Sequence, residues 1–122
     1  WEYAARGSTT DPWGRLDPTI DICTVGVVLD QSTATAEPWI KQTPIACDDQ
    51  FPFMAPVSAA PANANQIRGT IGNVWEWTGS QSTSRVVRGG SWYGDPGYAR
   101  ASDRYPLAPD VRSHSIGFRC AQ

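Results

Sequence analysis

Lysine is almost missing from this sequence. Lys41 stands alone against nine arginines, and leucine, with three residues, and methionine, with one, are nearly as scarce. Long helices need such straight-chain residues, so the shortage argues against a helical bundle. No apolar run approaches the roughly 18–20 residues that a bilayer span requires, and no signal peptide is present. The chain starts at Trp1, so the expectation is a processed product or a fragment, with any targeting segment outside it. Charge of one sign is missing too: 10 basic and 12 acidic residues give a net charge of -2, with no drive toward nucleic acid or an anionic membrane. His114 is the sole histidine. No Ser-His-Asp arrangement stands out, and the Ser113-His114-Ser115 run reads as surface. Cys23, Cys47 and Cys120 are too widely spaced for a zinc motif, which uses close pairs. They allow one disulfide and a free thiol, or three free thiols.

What the chain has in quantity is 11 glycines, 10 prolines and six tryptophans in 122 residues. That mixture suits one modest domain in which ordered loops pack onto a small sheet through large aromatic anchors. The bias to arginine favours fixed, bidentate or stacked contacts over flexible surface charge.

The opening Trp1–Gly7 reads as the end of a helix, with Gly7 supplying a left-handed cap. From Ser8 to Pro61, seven prolines break the chain into loops, and only Val25–Leu29 suggests a strand or a buried segment. So long an irregular stretch must be ordered by packing or metal, or carry function. Organisation tightens at Gly72. Residues 72–78, 84–92 and 115–121 alternate small or polar with large apolar residues, as half-buried strands do. The Gly89-Gly90 pair ending the second permits a bulge or a close backbone approach. An irregular stretch from Tyr93 to His114 separates the last two.

Trp1-Glu2-Tyr3-Ala4-Ala5-Arg6-Gly7, Gly72-Asn73-Val74-Trp75-Glu76-Trp77-Thr78, Arg88-Gly89-Gly90-Ser91-Trp92 and Gly117-Phe118-Arg119-Cys120, in this order, resemble the formylglycine-generating-enzyme-like (sulfatase-modifying factor) family. The resemblance implies an α+β, C-type-lectin-like fold, loop-rich with a small, mostly antiparallel sheet. It also implies that residues 1–122 are the C-terminal part of one such domain, with 84–121 as its variable-type segment and the N-terminal part supplied elsewhere.

Within that family the chain is similar to the variable proteins of diversity-generating retroelements, which rewrite asparagine codons in this segment. The matching positions hold Tyr93, Gly94, Asp95, Gly97, Tyr98, Asp103, Tyr105, Pro106, Leu107, Ser113, His114 and Ser115. Each is reachable by changing the two adenines of an AAC codon. The window from Tyr93 to Ile116 lacks Glu, Lys, Gln, Met and Trp, which that route cannot make. These twelve are the expected ligand-binding residues, for a protein or cell-surface ligand displayed outside the cell or on a virion. Tyr93, Tyr98 and Tyr105 sit among Gly, Asp, Ser and Pro, a mixture typical of binding loops. The expected framework is Trp75, Trp77, Trp92, Arg100, Arg104, Arg112 and Phe118. The tryptophans could form a ligand box, but their strand-like setting favours core anchors, and the arginines can tie loop carbonyls together.

The resemblance bears on chemistry as well. Aerobic formylglycine-generating enzymes use two cysteines after the Gly-Gly-Ser motif to bind copper; the aligned places here are Gly94 and Ala99, which offer no thiolate. The iron-dependent sulfoxide synthases need several histidines. No catalytic residue is therefore assigned, and the alternative is a truncated metalloenzyme domain of either kind. Arg88-Gly89-Gly90-Ser91 lacks the Lys-Ser of a phosphate loop, and Asp103 and Asp110 read as solvated rather than as a glycosidase pair. Asn73, Val74 and Glu76 match the segment that lends oxygens to a structural calcium in the family, so no cofactor is required but calcium is implied.

Overall fold

The computed structural model describes residues 1–79 and 84–120. Its centre is a four-stranded sheet of β1 (Trp75–Thr78), β2 (Arg85–Arg88), β3 (Tyr105–Leu107) and β4 (Ile116–Gly117), in the order β3-β2-β1-β4. β2 runs antiparallel to β1 and to β3, and β4 lies parallel to β1. The two helices are short, α1 (Glu2–Arg6) and α2 (Gln31–Ala36), and single 3-10 turns occupy Ile22–Thr24 and Pro96–Ala99. The sheet is thus small and mostly antiparallel, as expected. The expected strands are all present but shorter than their alternating segments.

Local chemistry explains the element ends. α1 stops at Gly7, which adopts the left-handed conformation at φ 57°. The segment before β1 is fixed by Gly72, whose φ is +68°; a Cβ there would fall on the Val27 carbonyl. That close approach brings Val27, Val28 and Leu29 into the core, so Val25–Leu29 is a buried segment bridged to Gly72 rather than a strand. The glycine pair after β2 permits a second approach, with Gly90 backed onto the Ala99 backbone at 2.8 Å from where its Cβ would sit.

Two elements escaped the sequence reading. α2 begins at Asp30, whose carboxylate accepts the Thr33 N–H at 3.1 Å. β3 lies inside the stretch expected to be irregular, and pairs Tyr105 with Val87. The long proline-rich region is ordered by packing and by side-chain oxygens. Asp49 accepts the Val28 and Phe51 N–H groups, and Asp11 accepts those of Trp13 and Arg15. Burial pushes the Asp49 carboxyl up to about 6, against the pull of its two N–H donors. Cys23 and Cys47 form a disulfide across this region, and Cys120 is a free, exposed thiol.

The two faces of the sheet differ. On one, Glu76 and Arg88 are register partners, both buried, and α1 covers them. Glu76 accepts from Trp1 Nε1 at 2.7 Å and from Arg119 at 2.7 and 3.1 Å. Arg88, 6% exposed, donates to the carbonyls of Ala101 at 2.9 Å and Asp103 at 3.1 Å, and to Glu2 Oε2 at 2.9 Å. Its guanidinium stacks on the Trp1 ring. The hydrogen-bonded Arg6, with help from the nearby Arg88 and Arg104 charges, holds the Glu2 carboxyl below its usual range.

Here the expected framework needs correction. Arg100, Arg104 and Arg112 are all exposed. Arg104 still reaches the Ser102 carbonyl and Glu2, and Arg100 pairs with Asp103 at 3.5 Å, but such solvated pairs contribute little. The Ala101 and Asp103 carbonyls are met by the guanidinium rising from β2, whereas Arg104 on the outer surface reaches the Ser102 carbonyl between them. Phe118 is 78% exposed, because strand pairing ends at Gly117 and leaves it beyond the last bonded residue.

Arg88→Ala is expected to cost about 2–4 kcal/mol in urea unfolding, since two buried carbonyls and Glu2 lose their partner. Arg104→Ala should stay within about 1 kcal/mol. In the same protein a thiol reagent should modify one cysteine per native chain. Reduction should then lower the thermal midpoint, because the Cys23–Cys47 link closes a loop worth about 3 kcal/mol.

Candidate ligand-binding face

The opposite face of the sheet carries Trp75 on β1, Val87 on β2 and Tyr105 on β3 at neighbouring register positions. Nothing helical covers them among the described residues. The chain leaving β2 instead passes over this face, turns at Pro96–Ala99 and returns through β3. Asp95 starts that turn by accepting the Gly97 N–H at 2.7 Å, and Pro96 and Ala99 bury beneath it. A cavity of about 510 Å³ remains between the turn and the sheet. Gly94, Asp95, Tyr98, Tyr105, Leu107 and Ser115, six of the twelve expected ligand-binding residues, line it.

Three rings shape this cavity. Tyr98 and Tyr105 stand 6.1 Å apart and lie 6.2 and 5.7 Å from Trp75, centroid to centroid. Both tyrosines are nearly half exposed, at 47% and 44%. Trp75 is half-buried beneath them. It is therefore the floor of a ligand-sized hollow as well as a packing residue. Gln42 and Val111 also line the cavity. Neither was identified from sequence, because each comes from an irregular segment that only the folded chain brings here.

A second aromatic patch adjoins it. Trp92, 5% exposed, is the base on which Tyr93 and His114 pack at 5.2 and 5.5 Å, with Tyr93 and His114 edge-on to one another at 5.8 Å. Phe53 joins Trp92 at 5.3 Å from the proline-rich region, a contact with no sequence signal. Gly97 borders a neighbouring cavity with Asp95, Trp13 and Arg15. Pro106 and Ser113 are exposed outside both patches, and Asp103 is half-buried, its carbonyl held by Arg88. Tyr98 and Tyr105 thus pack over Trp75, and Tyr93 packs on Trp92. Trp77, the register partner of Val87, borders a separate cavity with Trp1 and Ile67.

The residues that would carry metal chemistry do not fit a metal. Asn73 is buried, and its side-chain amide pairs with both backbone groups of Ala55, at 2.9 and 3.2 Å. Its carbonyl accepts Trp92 N–H at 3.0 Å. Both oxygens of Glu76 are taken by Arg119, and one also by Trp1. The calcium expectation for Asn73, Val74 and Glu76 is therefore not supported: the Asn73 carbonyl and side-chain oxygen and both Glu76 oxygens accept from protein donors, Arg119 among them. Cys23, Asp30 and Asp49 also converge, within 4.8 Å. The sulfur is spent in the disulfide, and the carboxylates accept backbone N–H groups. At the two positions aligned with copper ligands, Gly94 lies on the cavity wall and Ala99 is in the core, 1% exposed.

Comparison with known proteins agrees with this architecture. The chain is 33% identical over 138 residues to the inactive Cα-formylglycine-generating enzyme 2 of Bos taurus, covering 99% of this chain and 41% of that protein. It is 30% identical to the formylglycine-generating enzyme of Mus musculus, covering 99% and 37%. The chain thus spans about four-tenths of the length of these curated relatives. Among solved structures it resembles Treponema denticola variable protein 1, with a TM-score of 0.65 and 25% identity over 97% of this chain and 43% of that one. It shares the fold of PvdO from Pseudomonas aeruginosa, with a TM-score of 0.71 and 22% identity over 96% and 47%. The fold is α+β and C-type-lectin-like, as the motifs implied. The model for the sulfatase-modifying factor enzyme 1-like domain matches residues 1–122, from the Trp1 motif to beyond the Gly117-Phe118-Arg119-Cys120 motif, and the chain belongs to that family.

Proposed function

We propose that this chain is the C-terminal part of a non-enzymatic binding domain, and that residues 93–115 form the diversified face of a retroelement variable protein that recognises a protein or cell-surface ligand. The observation that carries this reading is the division of labour between the two sheet faces. Eight of the twelve residues matched to asparagine codons border one open cavity or an adjoining aromatic patch. The bonds that hold their backbone come mainly from residues outside that set: Arg88, Gly90 and Trp92. Random core substitutions commonly cost 2–5 kcal/mol, whereas exposed changes usually stay within about 0.5 kcal/mol. A face meant to vary needs this separation. The structural similarity to a variable protein supports the same reading.

Gly94 and Ala99 argue against formylglycine generation, since neither can bind copper or engage a substrate thiol. The disulfide suits display outside the cytoplasm, on a cell or virion surface. The N-terminal remainder of the domain would be supplied by the full protein or by a second chain.

Two measurements check this. In the complete domain, Tyr93→Ala, Tyr98→Ala and Tyr105→Ala should each lower the thermal midpoint by only a few degrees, while at least one weakens binding to a selected partner tenfold or more, about 2 kcal/mol at a buried interfacial tyrosine. Unfolding by all three would make this segment ordinary core. Incubation with copper, oxygen and a sulfatase-type cysteine peptide should yield no aldehyde. Catalytic turnover would overturn the non-enzymatic assignment.

A further inference from the structure

We infer that the cavity under Tyr98 and Tyr105 takes an organic ammonium group, a trimethylammonium or an alkylammonium head; this rests on the binding reading above and names the ligand chemistry of the same face. Three aromatic rings, Trp75, Tyr98 and Tyr105, border the cavity with centroids 5.7 to 6.2 Å apart. A cation resting among rings so spaced comes within the roughly 6 Å over which a ring quadrupole attracts it. The three rings pack on one another, yet both tyrosines stay nearly half exposed, so the group is open to a ligand.

Charge points the same way. Among the described residues, Asp95 is the only charged side chain in the lining, and no lysine, arginine or histidine lines the cavity. Arg85 stands two residues before Val87 on the same side of β2 and is not part of the lining. Asp95 Oδ1 accepts the Gly97 N–H and the residue stays exposed, so its charge remains available at the rim. The rest of the wall includes Val87, Leu107, Val111 and Ile116, apolar surface suited to the alkyl groups of the ligand. A sugar, by contrast, would need a ring of hydrogen-bonding side chains. Beyond the tyrosine hydroxyls the wall offers only Gln42, Asp95 and Ser115 for that. An anion is opposed by Asp95 and gains nothing from aromatic faces.

The test compares choline with its neutral isostere, in which a tert-butyl group replaces trimethylammonium, and with a neutral hexose. Binding to the complete domain is followed through the Trp75 indole signal by NMR. Choline should bind about tenfold more tightly than the isostere, and the hexose should not shift Trp75. Tyr98→Leu and Tyr105→Leu should abolish the preference while Tyr98→Phe and Tyr105→Phe keep it, because phenylalanine retains the ring face. Asp95→Asn, which can still cap the turn, should weaken choline and leave the isostere unchanged. A lysine-containing peptide that competes with choline would assign the site to a protein partner, and failure to compete would assign it to a small quaternary ammonium; both uphold the inference. Equal affinity for choline and the isostere, binding of the hexose alone, or no binding of choline at millimolar concentration would overturn it. Those outcomes leave the broader binding reading standing if the tyrosine variants stay folded and still lose a selected partner.

Discussion

One buried guanidinium holds the two halves of this chain in register. Arg88 leaves the end of β2, lies against Trp1, and meets Glu2 of the N-terminal helix on one side and the carbonyls of Ala101 and Asp103 on the other. A segment with little secondary structure must satisfy its inward backbone groups somehow. Here a planar five-donor group rising from the sheet does so at its centre, with Arg119 playing the matching part for the carbonyls of Arg68 and Gly69. Arg88 bonds its carbonyls from the face that α1 covers, and the opposite face carries Val87 in the core and Trp75 under the two tyrosines.

That arrangement explains how a loop-rich chain keeps a defined surface. Gly72 and Gly90 let backbone pack on backbone, Trp92 supplies a buried base, and the disulfide and the aspartate-bonded turns stiffen the proline-rich region beneath Phe53. Stability thus sits in the glycine contacts, the arginine–carbonyl bonds and the cross-link. The tyrosines over Trp75 and Trp92 sit on top of this frame.

The sequence made the punctuation of the fold legible. The cap at Gly7, the glycine pair after β2 and the strands at three of the four family motifs follow from local rules about φ and alternation. The exposure of Tyr98 and Tyr105 was legible from loop composition, since both stand among Gly, Asp, Ser and Pro. What stayed hidden depends on distant partners. Arg88 and Arg104 are the same residue type sixteen positions apart, and only the direction from which each meets the carbonyls makes one a tie and the other a surface charge. The pairing of Cys23 with Cys47, the arrival of Gln42 and Phe53 beside the tyrosines, and the capture of Glu76 by Arg119 are likewise tertiary facts.

The central claim is that scaffold stability is separate from the sequence of the binding face. It is tested most directly by randomising Tyr93, Asp95, Tyr98, Tyr105, Leu107 and His114 together in the complete domain, using only residues reachable from AAC codons, and measuring the fraction of variants that resist proteolysis. The account predicts that most variants stay folded and differ from one another in what they bind. A library in which most members are digested would show that these side chains are part of the core and would contradict it.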